Sequence, residues 1–252
     1  MFSTRRESEI LHAVRLQGSC SIGELAARFG VSEETIRRTV KPLVSSGLVR
    51  KVHGGIVLPD RLKEPPFQRR MQEHREAKQR IAAAVAARIK DGDSLMLDTG
   101  STTAYTALGL ANHSNLVIIT NSVEIARTLA SRNGNRVYMA GGELRADDGA
   151  AFGQAAQDFV RRFHVDYAIL SIGAINEAGV FMDYHLCEGE FSRAVIEQAS
   201  EVIVVADRSK FGTRAPVKVC DAEAVDLLVT DGAIPRKLSR RFAQSHTRVV
   251  TA

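Results

Sequence analysis

Tryptophan is absent, and cysteine appears only as Cys20, Cys187 and Cys220. An odd number of cysteines at wide, unpatterned spacing makes neither a disulfide framework nor a zinc site. All three read as reduced thiols. No apolar run approaches the roughly 18 residues that would signal a membrane helix. The longest helical apolar stretch, Ile81 to Ile89, is mostly alanine and is broken by Arg88. The opening Met1-Phe2-Ser3-Thr4-Arg5-Arg6-Glu7 lacks the apolar core of a signal peptide, so a cytoplasmic protein is expected. No Walker lysine loop and no dinucleotide GxGxxG are present, which disfavours a nucleoside triphosphate or NAD. His113, His164 and His185 show no metal-ligand spacing. No cofactor, metal or membrane contact is expected.

What is present is unevenly distributed. At 252 residues the chain is long for one domain and comfortable for two. Residues 1–58 hold nine Lys/Arg against five Asp/Glu, residues 59–90 nine against four, and residues 91–252 sixteen against twenty. A basic first third on an acidic remainder fits a nucleic-acid reader joined to something else.

The centre of that first third is Gly30-Val31-Ser32-Glu33-Glu34-Thr35-Ile36-Arg37-Arg38. Gly30 suits the left-handed end of one helix, and Ser32 caps the next. Glu33 and Glu34 sit at the positive end of that helix dipole. Helical spacing runs through Ile10, Leu11, Val14 and Leu16, then Ile22, Leu25, Ala26 and Phe29, then Ile36, Val40, Leu43 and Val44. Two strand-like runs, Leu48 to Val52 and Ile56 to Leu58, flank His53-Gly54-Gly55. Three helices and a hairpin make a winged helix-turn-helix. In that geometry Thr35, Arg37 and Arg38 reach base edges or phosphates of double-stranded operator DNA, while Arg50, Lys51 and His53 on the wing contact phosphate. Pro42 lies inside the third helix, so a kink or an early end is expected near Arg38 to Lys41.

"PDRLKEPP", residues 59–66, reads as an extended, exposed arm, and the basic residues that follow either touch DNA or are solvated. The expected divisions are a DNA-binding domain over 1–58, a linker over 59–75 and a sensor domain over 76–252.

From residue 93 the pattern alternates strand and helix, with apolar runs at Ser94 to Leu97, Leu116 to Thr120, Arg136 to Ala140, Asp166 to Ile172, Glu201 to Val205 and Leu227 to Thr230. That predicts an α/β domain with a mainly parallel sheet, whose ligands bind beyond the strands' carboxyl ends. Those ends carry Asp98-Thr99-Gly100-Ser101-Thr102-Thr103, Thr120-Asn121-Ser122, Gly141-Gly142-Glu143 and Asp207-Arg208-Ser209-Lys210-Phe211-Gly212. Glycine for a tight turn, followed by hydroxyls at a helix N-terminus, makes an anion site. Four such ends favour a small phosphorylated ligand over ordinary capped turns.

"ELAARFGVSEETIRR" followed by "GLVRKVHGG" resembles the DeoR family of bacterial transcriptional regulators. Thr39 stands where that family usually has Asp. "DTGSTT", "TNS", "AGGELR", "SIGAI", Glu188 and "ADRSKFG" through "VDLLVTD" extend the resemblance over roughly residues 5–232. The resemblance implies a sensor fold similar to ribose-5-phosphate isomerase and a repressor acting as a homo-oligomer, not an enzyme. It further implies that Gly100, Ser101, Thr102 and Thr103 cradle a phosphate and that Thr120, Asn121, Gly141 and Gly142 line the pocket. Lys210 would pair with the phosphate and Glu188 would accept from ligand hydroxyls, with Asp98 and Asp183 as second contacts. Asp98 could instead only order its own loop, and Glu188 could be an exposed helix residue. "NHSNL", "AGGELRADDG" and "MDYHLCEGEFSRAVIE" are most similar to the glycerol-3-phosphate regulon repressors within the family, which implies glycerol 3-phosphate as effector. The competing expectations are another sugar phosphate, or a sugar-phosphate isomerase or deaminase carrying a DNA-binding arm, with Glu188 or Asp183 as its base.

Overall fold

The computed structural model describes residues 5–17, 19–52, 54–57 and 64–252, and the chain divides into compact units Met1–Arg61 and Leu62–Ala252. His53 and residues 58–63 lie outside the described residues.

The first unit runs α1 (Arg5–Gln17), β1 (Ser19–Ser21), α2 (Ile22–Phe29), α3 (Glu33–Ser45), β2 (Arg50–Val52) and β3 (Gly55–Val57). Ser21 and Glu24 form a reciprocal capping box on α2, satisfying two otherwise unpaired amides. Gly30 ends α2 at φ 63°, and Ser32 caps α3 by accepting from the Thr35 amide. Ile10, Val14, Leu25, Ile36, Val40, Leu43, Val49 and Ile56 form one buried core. α3 does not end early: it continues through Pro42 to Ser45. Proline removes one amide, but Leu43 beyond it is buried and holds the last turn to the core. β1 completes a three-stranded sheet of order β1-β3-β2. A Cβ on Gly55 would lie 2.5 Å from the Cys20 carbonyl oxygen, so the close approach of β1 requires glycine there.

The second unit continues with α4 (Phe67–Gln72), α5 (Arg75–Ala86), β4 (Ser94–Leu97), α6 (Ser101–Gly109), β5 (Val117–Thr120), α7 (Val123–Leu129) and β6 (Arg136–Met139). Then come α8 (Gln154–Val160), β7 (Val165–Ser171), β8 (Ala174–Ile175), β9 (Phe181–Asp183), α9 (Leu186–Ile196) and β10 (Ala199–Val205). The last elements are β11 (Val217–Cys220), β12 (Leu227–Thr230), α10 (Arg236–Gln244) and β13 (Arg248–Thr251). Seven strands form one parallel sheet of order β13-β12-β10-β7-β4-β5-β6. Successive strand residues serve opposite faces. Leu95, Leu97, Ile169, Ile203 and Val205 pack with Ile81, Ala107 and Ile125 of α5, α6 and α7. Met96, Ala168, Leu170, Val202 and Val204 pack with Val160, Phe191 and Phe242 of α8, α9 and α10. The result is a three-layer α/β/α unit.

Strand order grows outward from β4 in both directions, through β5 and β6 on one side and β7, β10, β12 and β13 on the other. The switch point therefore lies between β4 and β7, and a crevice opens beyond their carboxyl ends. A small antiparallel sheet, β11-β9-β8, stands beside it and carries Asp183. Within the linker expected over 59–75, residues 67–72 form α4, whose Phe67 is buried and which packs on α6; most of 59–66 lies outside the described residues. Among the described residues, no helix is long and apolar enough to cross a membrane.

Candidate functional site

In the first unit Arg37 and Arg38 project from α3 and are exposed, while Thr35 is partly buried. Arg37 pairs with Glu33 at 2.8 Å and Glu34 at 3.9 Å. Ser32 and Thr35 share a hydroxyl hydrogen bond of 2.9 Å, and Thr39 Oγ1 donates to the Thr35 carbonyl. Arg50 and Lys51 are exposed on β2. Arg37, Arg38, Lys41 and Lys51 line one groove of about 640 Å³ between α3 and the hairpin. Recognition helix and wing thus present cations to one concavity, as a phosphate-lined groove requires.

In the second unit the site starts at the switch point. After β4 the chain turns through Asp98 to Gly100 into α6, which no side chain caps. The first-turn amides of α6 lie at the positive end of the helix dipole, an arrangement that suits an anion. Asp98 Oδ1 accepts from the Ser171 amide at 3.0 Å, and Ser171 Oγ donates to the Thr99 carbonyl at 3.3 Å. These bonds lace the ends of β4 and β7 together. Asn121 holds the same loop from β5: its Oδ1 accepts from Thr99 N and its Nδ2 donates to the Ala151 carbonyl.

Two lobes open from this turn. The larger, about 160 Å³, is lined by Arg70, His74, Lys78, Ser101, Asp207 and Lys210 among others. A deeper one includes Glu64, Arg70, Ser101, Thr102, Asp183, Glu188 and Lys210. Behind it Asp98, Asn121, Asp183 and Glu188 enclose a further small space. Volumes this size suit a ligand of a few heavy atoms, well below the roughly 300–1,000 Å³ of drug-sized sites. Lys210 reaches the lobes from the 3-10 turn Arg208–Lys210, whose start is fixed by Asp207 accepting from Ser209 N.

The electrostatics are mixed. Arg145 ion-pairs with both Asp148 and Glu188 and lies 4.6 Å from the Phe152 ring centroid. Burial alone would raise Asp148, but the Arg145 guanidinium outweighs it and holds the carboxyl below its usual range. Burial pushes Asp98 well above the usual carboxylate range, opposed by the Ser171 amide. Burial raises Asp183 likewise, with the Glu188 charge adding to it. In both acids burial disfavours the charged carboxylate. Glu188 is buried rather than exposed, and among the described residues its Oε2 has no hydrogen-bond partner. Burial depresses Lys78 to about 8. His185 is isolated in sequence but not in space: its ring lies within 4.8 Å of carboxylate oxygens of Glu64 and Glu188. The three could contact a cation, although Arg70 and Arg145 already neutralise the carboxylates.

The structure therefore brings together Asp98, Ser101, Thr102, Asn121, Asp183, Glu188 and Lys210, with Gly100 at the turn. Thr103 is fully buried and its hydroxyl donates to the Gly100 carbonyl, so it shapes the turn from behind. Thr120, Gly141 and Gly142 do not line the lobes. β5 and β6 stand progressively farther from the switch point, and Thr120 Oγ1 is occupied by Ser122 N. The loop after β6 does reach the site, but through Arg145. Glu64, Arg70, Arg145 and Ser171 were not anticipated as site residues. Their signal was an ionisable or polar residue buried by the fold, which local pattern does not reveal.

A winged helix-turn-helix joined to an α/β unit with a small polar cavity defines a DNA-binding regulator with a small-molecule sensor. Residues 6–61 match the family described as DeoR-like helix-turn-helix domain, and residues 73–232 match the DeoR C terminal sensor domain. The chain is 37% identical over 249 residues to the glycerol-3-phosphate regulon repressor of Escherichia coli (strain K12), covering 99% of each chain. It is 32% identical to the HTH-type transcriptional repressor CsqR of the same organism, over 97% of this chain and 94% of that one. It is 34% identical to the transcriptional repressor AccR of Agrobacterium fabrum, over 94% and 95%. In structure it is similar to ribose 5-phosphate isomerase A from Methanocaldococcus jannaschii, with TM-score 0.40, 20% identity and 55% of each chain covered. The chain belongs to the DeoR family: it is a transcriptional repressor of that type and not an enzyme. It binds DNA through the helix-turn-helix and a small effector through the sensor domain.

Proposed function

We propose that a small phosphorylated polyol or sugar, with glycerol 3-phosphate the best candidate, occupies the switch-point cavity and lowers affinity for double-stranded operator DNA. The observation that carries this reading is the uncapped N-terminus of α6 facing Lys210 across one cavity. Gly100 permits the turn, the Ser101 and Thr102 amides and hydroxyls take the phosphate oxygens, and Lys210 supplies the countercharge. Glu188, with an oxygen unpaired among the described residues, and Asp98 and Asp183, whose charged forms burial disfavours, take the hydroxyls. The relative at 37% identity is named for the glycerol-3-phosphate regulon, which supports the choice of ligand. On the DNA side, Thr35, Arg37 and Arg38 read and Arg50 and Lys51 position.

The ligand acts only through differential affinity for two conformers. Moving a 99:1 population to 1:99 takes about 5.5 kcal/mol of preference, within reach of a desolvated phosphate held by several charged donors. The test is an anisotropy titration of the chain's own promoter DNA against a panel of phosphorylated C3 to C6 compounds. Glycerol 3-phosphate is expected to weaken binding, and Lys210→Ala to abolish that response while keeping operator affinity. A response to another member of the panel alone replaces the ligand. No response to any member ends the reading.

A further inference from the structure

The two main lobes of the cavity share four lining residues: Arg70, Ser101, Gly173 and Lys210. Two cations and the first residue of an uncapped helix thus converge on one place. Lys210 and Ser101 come from strand-end loops of the sheet. Arg70 comes from α4, in the segment through which the chain enters the second unit at Leu62.

Arg70 is engaged where it stands. Its Nη1 pairs with Glu64 Oε1 at 2.8 Å, and both side chains are only 10% exposed. Its Nε donates to the Pro65 carbonyl at 3.0 Å, and Nη2 lies 4.0 Å from Asp147. The guanidinium also lies 5.4 Å from the Phe67 ring centroid. α4 has further anchors. Lys78 Nζ donates to the carbonyls of Arg70 and Glu73, Tyr105 donates to the Met71 carbonyl, and the Phe67 amide donates to Asp147. Glu64 and Pro65 differ: among the described residues, their hydrogen-bonded and ion-paired ties run to the Arg70 side chain.

We propose that Arg70 is a ligand-gripping residue held in reserve by Glu64, and that its transfer from Glu64 to the ligand's anionic group releases the segment leading to the DNA-binding unit. This rests on the reading that a phosphorylated compound fills the cavity. A phosphate dianion offers a planar guanidinium two acceptor oxygens and more charge than a carboxylate. The same dianion repels Glu64, which already shares the deeper lobe with Asp183 and Glu188. Ligand and Glu64 therefore compete for one cation. The loser, Glu64, lies two residues past the start of the unit, so occupancy is reported at the chain's entry point.

The competition has a signature that a merely structural pair would not show. Calorimetric titration of the full chain uses glycerol 3-phosphate and, separately, inorganic phosphate as probes. Glu64→Gln keeps shape but removes the competing charge, and is expected to tighten binding several-fold. Arg70→Ala is expected to weaken it by about tenfold or more, the range for loss of a charge-assisted pair. Hydrogen exchange at residues 64–66 is expected to speed up when the wild-type chain is saturated. Equal or weaker binding by Glu64→Gln overturns the proposal, whatever Arg70→Ala does, and so does unchanged exchange at saturation. If the wild-type chain binds neither probe nor any compound of the panel, the parent reading falls as well.

Discussion

Gly100→Ala is the sharpest perturbation of the switch point. Gly100 sits at φ 171°, an extended backbone that any residue adopts, so alanine incurs no dihedral strain. The obstacle is space. An added Cβ would lie 1.9 Å from Ser171 Oγ and 2.7 Å from Ser171 Cβ. Rotating the hydroxyl away removes the first clash but leaves the second, because Cβ is fixed to the β7 backbone. The ends of β4 and β7 must then separate. That separation stretches the Asp98–Ser171 and Ser171–Thr99 hydrogen bonds that lace them. Overpacking of this kind costs about 1–3 kcal/mol. It also shifts the α6 amides, so ligand affinity should fall while operator binding by the first unit persists. Urea unfolding and ligand titration of the full chain, run as a double-mutant cycle with Ser171→Gly and Ser171→Ala, measure both effects. Ser171→Gly removes both offending atoms and should restore most of the loss. Ser171→Ala keeps Cβ and should restore less. Equal rescue by the two, or an unperturbed Gly100→Ala, refutes the steric argument.

Two further outcomes are expected. Arg37→Ala should weaken operator binding by about 1–3 kcal/mol and relax preference at one base position, since its surface pairs with Glu33 and Glu34 restrain it by under about 1 kcal/mol; competition against single-base operator variants measures this, and a uniform loss identifies a phosphate contact instead. Lys78 is 3% exposed and titrates at about 8 in the fold against 10.5 free, so between those values the unfolded chain holds the extra proton and stability rises with pH. The rise should reach about 3 kcal/mol relative to Lys78→Met in urea midpoints from pH 8 to 10.5, and parallel curves for the two chains exclude it.

Local chemistry made the first unit readable. The Gly30 turn, the Ser32 cap and the Ser21–Glu24 box each act within four residues, and each forms as its side chain dictates. Pro42 does not end α3 early, because a single lost amide is weaker than the buried side chains on either side of it, Val40 and Leu43. β1 and the β8, β9 and β11 sheet escaped notice because none of these strands holds three apolar residues in a row, as β4, β5 and β12 do. β13, at the sheet edge and largely exposed, has no apolar run to mark it.

The sensor site shows where such reading stops. Every strand-end loop with Gly, Ser, Thr or Asp looked equally suited to a ligand, because each sits at a strand-to-helix turn. Strand order decides between them, and order is a property of the whole sheet. With β4 beside β7, the Asp98 and Ser171 loops meet and become a crevice, while Gly141 and Gly142 are carried out to the edge strand. The same argument explains Arg145 and Arg70. Each is an ordinary surface arginine in its local sequence, and each pairs with a carboxylate from outside its own element, Glu188 of α9 for Arg145 and Glu64, six residues back, for Arg70. The carboxylates in turn limit what can enter. A cavity holding Glu188 and Glu64 accepts an anionic ligand best where Arg70, Lys210 and the α6 N-terminus converge. For the proposed phosphorylated ligand, that arrangement favours the phosphate toward α6 and α4 and the hydroxyls toward α9 and Asp183.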